Sequence, residues 1–302
     1  MHWSRMKKPT TNKKSKHVAT DRDMQIFKFL WKWKAVSTRA IAKKFFPEAT
    51  PYSAYIRLTR LHKVGFIEPV QVEEKGQEIW SLSKKGFLKI RPRMVELAID
   101  GYKSENYYHD FLATAFHLGE WLTDQPKGAQ TFSEQQLRRI PEELWPAWIP
   151  KSNTHRPDGY SHFNISNTNV NQNYTVAFEA ELSAKGITRF ERTIAFYDSH
   201  AEIHFVFWLI DSIGIYNLIA RAFEKYHGRE WSKHHFILLA DFRQKGWGST
   251  FISGKHKGKS ITQILSYNSA TKPLPDCYVS SVSELLNNQK RPINPKTSVR
   301  PV

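Results

Sequence analysis

Tyr174-Thr175-Val176-Ala177-Phe178-Glu179-Ala180-Glu181-Leu182 is the stretch that decides the fold. Side chains alternate along a strand, so Glu179 and Glu181 share one face and Val176, Phe178, Ala180 and Leu182 take the other. Two carboxylates side by side repel each other at neutral pH, and when partly buried they need a cation or a shared proton. Upstream, Arg156-Pro157-Asp158-Gly159 places a third carboxylate just before another predicted strand, Tyr160–Ile165, with an Asn-rich turn over Ser166–Asn173 between the two. Asp158, Glu179 and Glu181 are therefore candidate oxygen ligands for Mg2+ or Mn2+. Such an ion beside a nucleic-acid backbone polarises a phosphate and activates a water. Lys185, just beyond the strand, is a candidate for stabilising the developing charge. The plainer alternative is a solvent-facing strand with two ordinary glutamates, and Pro157-Asp158 as a turn.

Outward from that pair the periodicity changes. Thr188–Ser199 and Gly214–Tyr226 have helical spacing, while Glu202–Ile210 and His235–Asp241 have the composition of buried strands. Upstream, residues 104–123 form one amphipathic helix, with Tyr108, Phe111, Leu112, Ala115, Leu118 and Leu122 as its apolar stripe. Residues 128–132 fit a strand, and 133–145 a helix or loop. The order predicts a small α/β domain whose helices cover a mixed sheet. Arg189 and Arg192, on the helix after the glutamates, are placed either to contact DNA phosphates or to complement the carboxylates. Glu134 has two readings, an acid at a helix start or a further metal ligand. His109 and Asp110 are adjacent on a helix and diverge in direction, which favours a local structural role. Trp231 and Trp247 are candidates for stacking on an unpaired base.

Residues 18–90 read as a separate unit. Thr20 with Asp23 fits a capping box, followed by Ile26, Phe27, Leu30 and Trp31 on one helical face. Ser37 caps a second helix. Thr50-Pro51 opens a third, whose Ala54, Leu58, Leu61 and Val64 repeat at core spacing before Gly65 ends it. Two β-prone runs, Phe66–Val72 and Glu78–Leu82, follow as a hairpin. Three short helices and a hairpin predict a winged helix-turn-helix. On the third helix Tyr52, Tyr55 and Arg60 lie well away from the apolar face, Ser53 and Arg57 sit nearer its edge, and Lys75 sits at the wing tip. Hydroxyls and cations there suit phosphates and base edges of double-stranded DNA. The alternative is a winged helix used only for protein contact.

The chain has 302 residues, 45 Lys+Arg against 28 Asp+Glu and a net charge of +17. An apolar fraction of 40% excludes global disorder. The single cysteine, Cys277, excludes an internal disulfide framework and a cysteine zinc cluster. No apolar run approaches the roughly 20 residues of a membrane helix, and no secretory signal opens the chain. The expectation is a soluble, cytoplasmic protein with a polyanionic partner and no membrane association. The expected organisation is a basic tail (1–17), the winged unit (18–90), connecting helices (91–125), the α/β domain (126–285) and a second basic tail (286–302).

Pro157-Asp158, about twenty residues and then Glu179-Ala180-Glu181 resembles the PD-(D/E)xK nuclease superfamily. So does the predicted helix–strand–strand–strand–helix–strand order. The lysine that the superfamily usually carries two residues after the acid is here Glu181, as in some of its restriction enzymes. A closer resemblance adds the winged helix, Tyr108-His109-Asp110-Phe111, Ser133-Glu134 and the helix from Arg189 to Tyr197. That order is similar to the replication-relaxation family of plasmid and mobile-element proteins. The resemblance implies a restriction-endonuclease-like α/β domain behind a DNA-binding one. It implies a bacterial, nucleoid- or plasmid-associated protein of a mobile element, working beside a relaxase, replicase or transposase. Two functions are compatible with it: Mg2+- or Mn2+-dependent DNA cleavage or nicking, and a non-catalytic accessory role in replication, mobilisation or repression.

Overall fold

A computed structural model describes residues 19–72, 78–122, 129–151, 154–166, 171–226 and 231–266. Lys75, Cys277 and both basic tails lie outside the described residues. The first part of the chain runs α1 (Asp21–Trp33), β1 (Val36–Ser37), α2 (Thr38–Phe45), α3 (Pro51–Lys63), β2 (Ile67–Val70), β3 (Ile79–Leu82) and α4 (Lys84–Ile90). Its helix starts are local chemistry. Thr20 and Asp23 close the capping box of α1, and the Ser37 hydroxyl accepts from the Ala40 amide to start α2. Pro51 opens α3, whose Ala54, Leu58 and Leu61 are fully buried. Gly65 leaves the helix at φ +78°, a backbone region that favours glycine. β2 and β3 pair antiparallel, and β1 adds to the other edge of β3.

One further glycine in this part is fixed by space. A Cβ on Gly86 would meet the Phe66 carbonyl oxygen at 2.1 Å and the Leu82 side chain at 2.6 Å. Backbone cannot yield as a flexible side-chain tip does. Gly86→Ala is therefore expected to destabilise the chain by about 2–3 kcal/mol, measured as a lowered urea midpoint at unchanged slope.

The second part contains α5 (Tyr107–Leu122), β4 (Gln130–Ser133), α6 (Glu134–Arg139), β5 (Gly159–Ser166), β6 (Asn171–Glu181), α7 (Ile187–Ser199), β7 (Phe205–Ile210), α8 (Ile213–Tyr226), β8 (His234–Leu238), α9 (Leu239–Lys245) and α10 (Ile261–Ser266). The strands form one sheet in the order β4-β5-β6-β7-β8. β4, β5 and β6 are antiparallel neighbours, while β6, β7 and β8 run parallel through the α7 and α8 crossovers. The fold is thus α/β with a mixed sheet, as the alternation of patterns predicts.

Each face of the sheet has its own core. Phe163, Val176, Phe178, Phe207 and Ile237 pack with Phe111 and Phe116 of α5 and with Trp247. Ala177, Val206, Trp208 and Phe236 pack with Phe190, Ile194 and Tyr197 of α7 and Ile215 and Ile219 of α8. Phe178 and Phe116 meet edge to face at 5.1 Å.

Two expectations are corrected. Helix was expected across most of the stretch from Ser83 to Tyr102, but α4 stops at Ile90. A single 3-10 turn, Arg91–Arg93, carries Pro92 inside it, because proline supplies no amide for a continuing helix. Within the expected connecting segment 91–125, α5 buries Phe111, Leu112 and Phe116 of its apolar stripe against the sheet. Trp247 is fully buried and donates its indole N–H to the Phe116 carbonyl at 2.7 Å, so it presents no ring to a base.

The described residues belong to one compact unit, and the N-terminal helices share a core with the sheet. The seam is the end of α1. The Trp31 indole donates to the Gly101 carbonyl at 2.8 Å, and the Ser133 hydroxyl donates to the Lys32 carbonyl at 2.6 Å. Lys32 Nζ reaches the Thr131 hydroxyl at 2.8 Å. No helix among the described residues is long and apolar enough to cross a membrane.

Candidate functional site

The site forms where β5 and β6 run past the starts of α5, α6 and α7. A cleft of about 660 Å3 opens there, lined by Lys34, His109, Asp110, Glu134, Asp158, Glu179, Glu181 and Lys185, with Arg138, Arg156, Arg189 and Arg192 also in its lining. Those four arginines are exposed. The alternation of β6 puts Glu179 and Glu181 on one face, each 5% exposed. Asp158 joins them because its amide donates to the Phe178 carbonyl at 3.1 Å, one residue before β5 pairs with β6. Its Oδ2 in turn accepts from the Ala180 amide at 2.7 Å. The three candidate acids therefore line one cleft.

Each acid has its own partners. The His109 ring Nε2 lies 3.6 Å from Asp158 Oδ2 and 3.1 Å from the Ala180 carbonyl. Glu179 Oε1 is 2.6 Å from His155 Nε2 and accepts a hydrogen bond from the Tyr197 hydroxyl. Glu181 Oε2 pairs with Lys185 Nζ at 2.5 Å. Glu134 occupies the first turn of α6, capped by Ser133, and pairs with Lys34 at 3.0 Å and Arg138 at 2.7 Å. Glu134 is thus a helix-start acid that also lines the cleft.

Crowding of negative charge shifts the titrations. Burial raises the Asp158 carboxyl to about 7; His109 opposes the rise, and the nearby Glu179 and Glu134 carboxylates add to it. For His109, burial pulls the imidazole down but Asp158 and Asp110 outweigh it, lifting it to about 9. Burial raises the Glu181 carboxyl, Lys185 opposing and Glu179 reinforcing. A buried carboxylate pushed towards holding its proton is a place where a divalent cation competes well.

On α3, Tyr52, Ser53 and Arg60 are exposed and Tyr55 is half-buried. The Tyr52 and Tyr55 rings lie 6.1 Å apart. Arg57 needs a correction as a DNA-contacting residue. Its guanidinium is drawn inward onto the fully buried Asp23, with Nε 2.8 Å from Oδ1 and Nη2 on Oδ2. A buried carboxylate without a cation is costly, and Arg57 supplies that cation. Arg189 and Arg192 sit on the cleft rim, where either of their expected roles is open to them.

Sequence reasoning missed Lys34 and His155, and gave His109 only a local structural role, whereas its ring faces Asp158. His109 stands in a visible Tyr-His-Asp run, but what gives it meaning is the strand end it meets 71 residues later in the chain. Lys34 and His155 carry no local signal. The lining of the cleft brings together the carboxylates of Asp158, Glu179, Glu181 and Glu134, the oxygen donors the sequence singles out. Among the described residues, no group of three or more His, Cys, Asp or Glu side chains is placed to hold a metal ion. Comparison with protein-family models, with curated proteins and with solved structures finds no match.

Proposed function

We propose that this chain is a DNA-binding protein of a mobile genetic element. Its N-terminal helices and hairpin act as a winged helix-turn-helix, and its sheet as a PD-(D/E)xK-like domain that cuts or nicks DNA by metal-dependent hydrolysis. The observation that carries the reading is the convergence of Asp158, Glu179, Glu181 and Lys185 in a cleft whose lining includes exposed arginines. Support comes also from the chain order α5, β4, β5, β6, α7, β7, a helix–strand–strand–strand–helix–strand sequence into which α6 is inserted between β4 and β5. The order of the motifs supports kinship with the replication-relaxation family. With it comes a cytoplasmic, plasmid- or nucleoid-associated setting beside a relaxase, replicase or transposase.

Asp158 and Glu179 would hold Mg2+ or Mn2+, with Glu181 and Glu134 within the same lining. When bound, the ion supplies Lewis acidity to a phosphodiester oxygen. The protein's own groups do the rest. Glu181 orients a water and takes its proton. Lys185 supplies positive charge beside the phosphoryl oxygens as negative charge builds there. Arg189 and Arg192 grip flanking phosphates, and Tyr52, Ser53, Tyr55 and Arg60 of α3 read the duplex.

The test uses the purified chain on supercoiled and linear DNA carrying its own element's ends, with and without Mg2+ or Mn2+. Metal-dependent nicking or cutting is expected; its absence would overturn the nuclease reading. Binding itself is expected to weaken steeply with salt. Arg60→Ala and Arg189→Ala should each flatten the log–log salt slope by about one, as one phosphate contact is lost. Slopes equal to the wild type would remove those residues from the interface.

One observation favours a second reading, a DNA-binding accessory factor with a non-catalytic nuclease-like domain. Asp158, Glu179 and Glu181 each already face a basic group of the protein: His109, His155 and Lys185 respectively. Salt-sensitive binding with no cutting would select it.

A further inference from the structure

Among the described residues that line the cleft, Lys34 is the one that comes from the N-terminal part of the fold, and its backbone is unusual. It caps α1 at φ 60°, ψ −43°, the positive-φ residue of a tight turn in which the Ala35 amide donates to the Trp33 carbonyl at 2.6 Å. This geometry matches the rarer, strained form of the γ-turn, and a side chain with a Cβ is held there only when its surroundings over-determine it. They do so here. The Ser133 hydroxyl donates to the Lys32 carbonyl and the Lys34 amide to the Leu30 carbonyl at 2.8 Å, while the Thr114 hydroxyl, shared with the Asp110 carbonyl at 2.7 Å, lies 3.1 Å from the Trp33 carbonyl. The turn aims a side chain only 10% exposed between two carboxylates. Its Nζ lies 2.8 Å from Asp110 Oδ1 and 3.0 Å from Glu134 Oε2.

Both carboxylates lead to Asp158. The Glu134 amide donates to the Asp158 carbonyl at 2.9 Å. Asp110 adjoins His109, whose Nε2 faces Asp158 Oδ2. We propose that Lys34 is a positioning residue that ties the end of α1 to the cleft, holding Glu134 and Asp110 so that Asp158 keeps its place in the site. The inference rests on the nuclease reading for its catalytic consequence, but its structural core stands without metal or DNA. It also makes the cleft a joint product of the two parts of the fold: the helix that ends the N-terminal core supplies the cation that orders the acids. A lysine that only balanced surface charge would not sit in a strained turn inside a buried seam.

The experiment compares the full chain with Lys34→Met and Lys34→Arg in two arms. In the metal-free arm, amide exchange is read at Glu134 and Ala180, which hydrogen-bond Asp158. Lys34→Met is expected to speed exchange at both by tenfold or more while the amides of β7 stay as protected as in the wild type. Lys34→Arg should recover most of the protection. In the cutting arm, Lys34→Met is expected to lower the rate at saturating DNA by tenfold or more, with the DNA concentration for half-maximal rate within twofold of the wild type. Folded Lys34→Met with unchanged protection at Glu134 and Ala180 overturns the inference. A wild type that does not cut overturns the nuclease reading and leaves the exchange arm to decide Lys34. If Lys34→Met does not fold, Lys34→Gln, which keeps a polar tip but no charge, takes its place. Tenfold faster exchange at Glu134 and Ala180 in that variant supports the inference, and unchanged protection overturns it.

Discussion

Asp158→Asn is expected to slow metal-dependent DNA cutting by roughly a hundred- to a thousandfold, with duplex binding nearly unchanged. The variant keeps an oxygen to accept from the Ala180 amide, so β5 and β6 stay in register and the loss reports chemistry rather than folding. What it removes is the carboxylate that a divalent ion would need beside Glu179. Because burial holds the Asp158 carboxyl up at about 7, protons compete with the ion below that pH. Mn2+ binding by the wild type is therefore expected to strengthen as pH rises towards 7, by up to tenfold per unit, and to go on strengthening up to about 9 as the His109 imidazolium beside Asp158 loses its charge. Single-turnover cutting on plasmid DNA, together with Mn2+ titration across pH 5–9, measures both. Equal cutting by wild type and variant would take Asp158 out of the chemistry.

Arg57→Ala is expected to cost about 3 kcal/mol of stability and roughly 6–12 °C in Tm, an effect of folding rather than of DNA recognition. Asp23 has no exposed surface, so losing the guanidinium strands a charge inside the N-terminal core. The pH dependence follows from the direction of the Asp23 shift. Burial pushes its carboxyl up, but hydrogen bonds from Arg57 and Thr20 outweigh that and hold it below its ordinary 3.8. A carboxyl depressed in the folded state stabilises above its unfolded value and loses that contribution as pH falls through the folded one. The gap between wild type and Arg57→Ala should therefore be full at pH 6–7 and shrink below about pH 4. Thermal melts across that range test it. A variant as stable as the wild type, but with a flatter salt slope for DNA, would restore Arg57 to the nucleic-acid surface.

Arg57 also shows where sequence reading stops. On a helical wheel it stands at the edge of the face formed by Ala54, Leu58 and Leu61, and a cation there looks available. Its partner lies 34 residues away in the chain, and no periodicity records that meeting. Asp158 and Glu179 were legible for the opposite reason. A strand has a period of two and an antiparallel turn brings its neighbour alongside, so local rules already place two acids together. Lys34 was invisible because its role depends on an unusual turn at a helix end and on acids near positions 110 and 134, contacts only packing creates.

The sequence by itself determined the helix starts at Thr20, Ser37 and Pro51, the faces of β6 and the alternation that makes the fold α/β. Those follow from hydrogen bonds and side-chain directions within a few residues of each other. Only the tertiary structure decided which basic group meets which acid: Lys34 with Asp110 and Glu134, His109 with Asp158, His155 with Glu179, Arg57 with Asp23. A buried charge takes whatever partner the packed chain brings within reach, and that distance is set by the whole core rather than by neighbours in the chain.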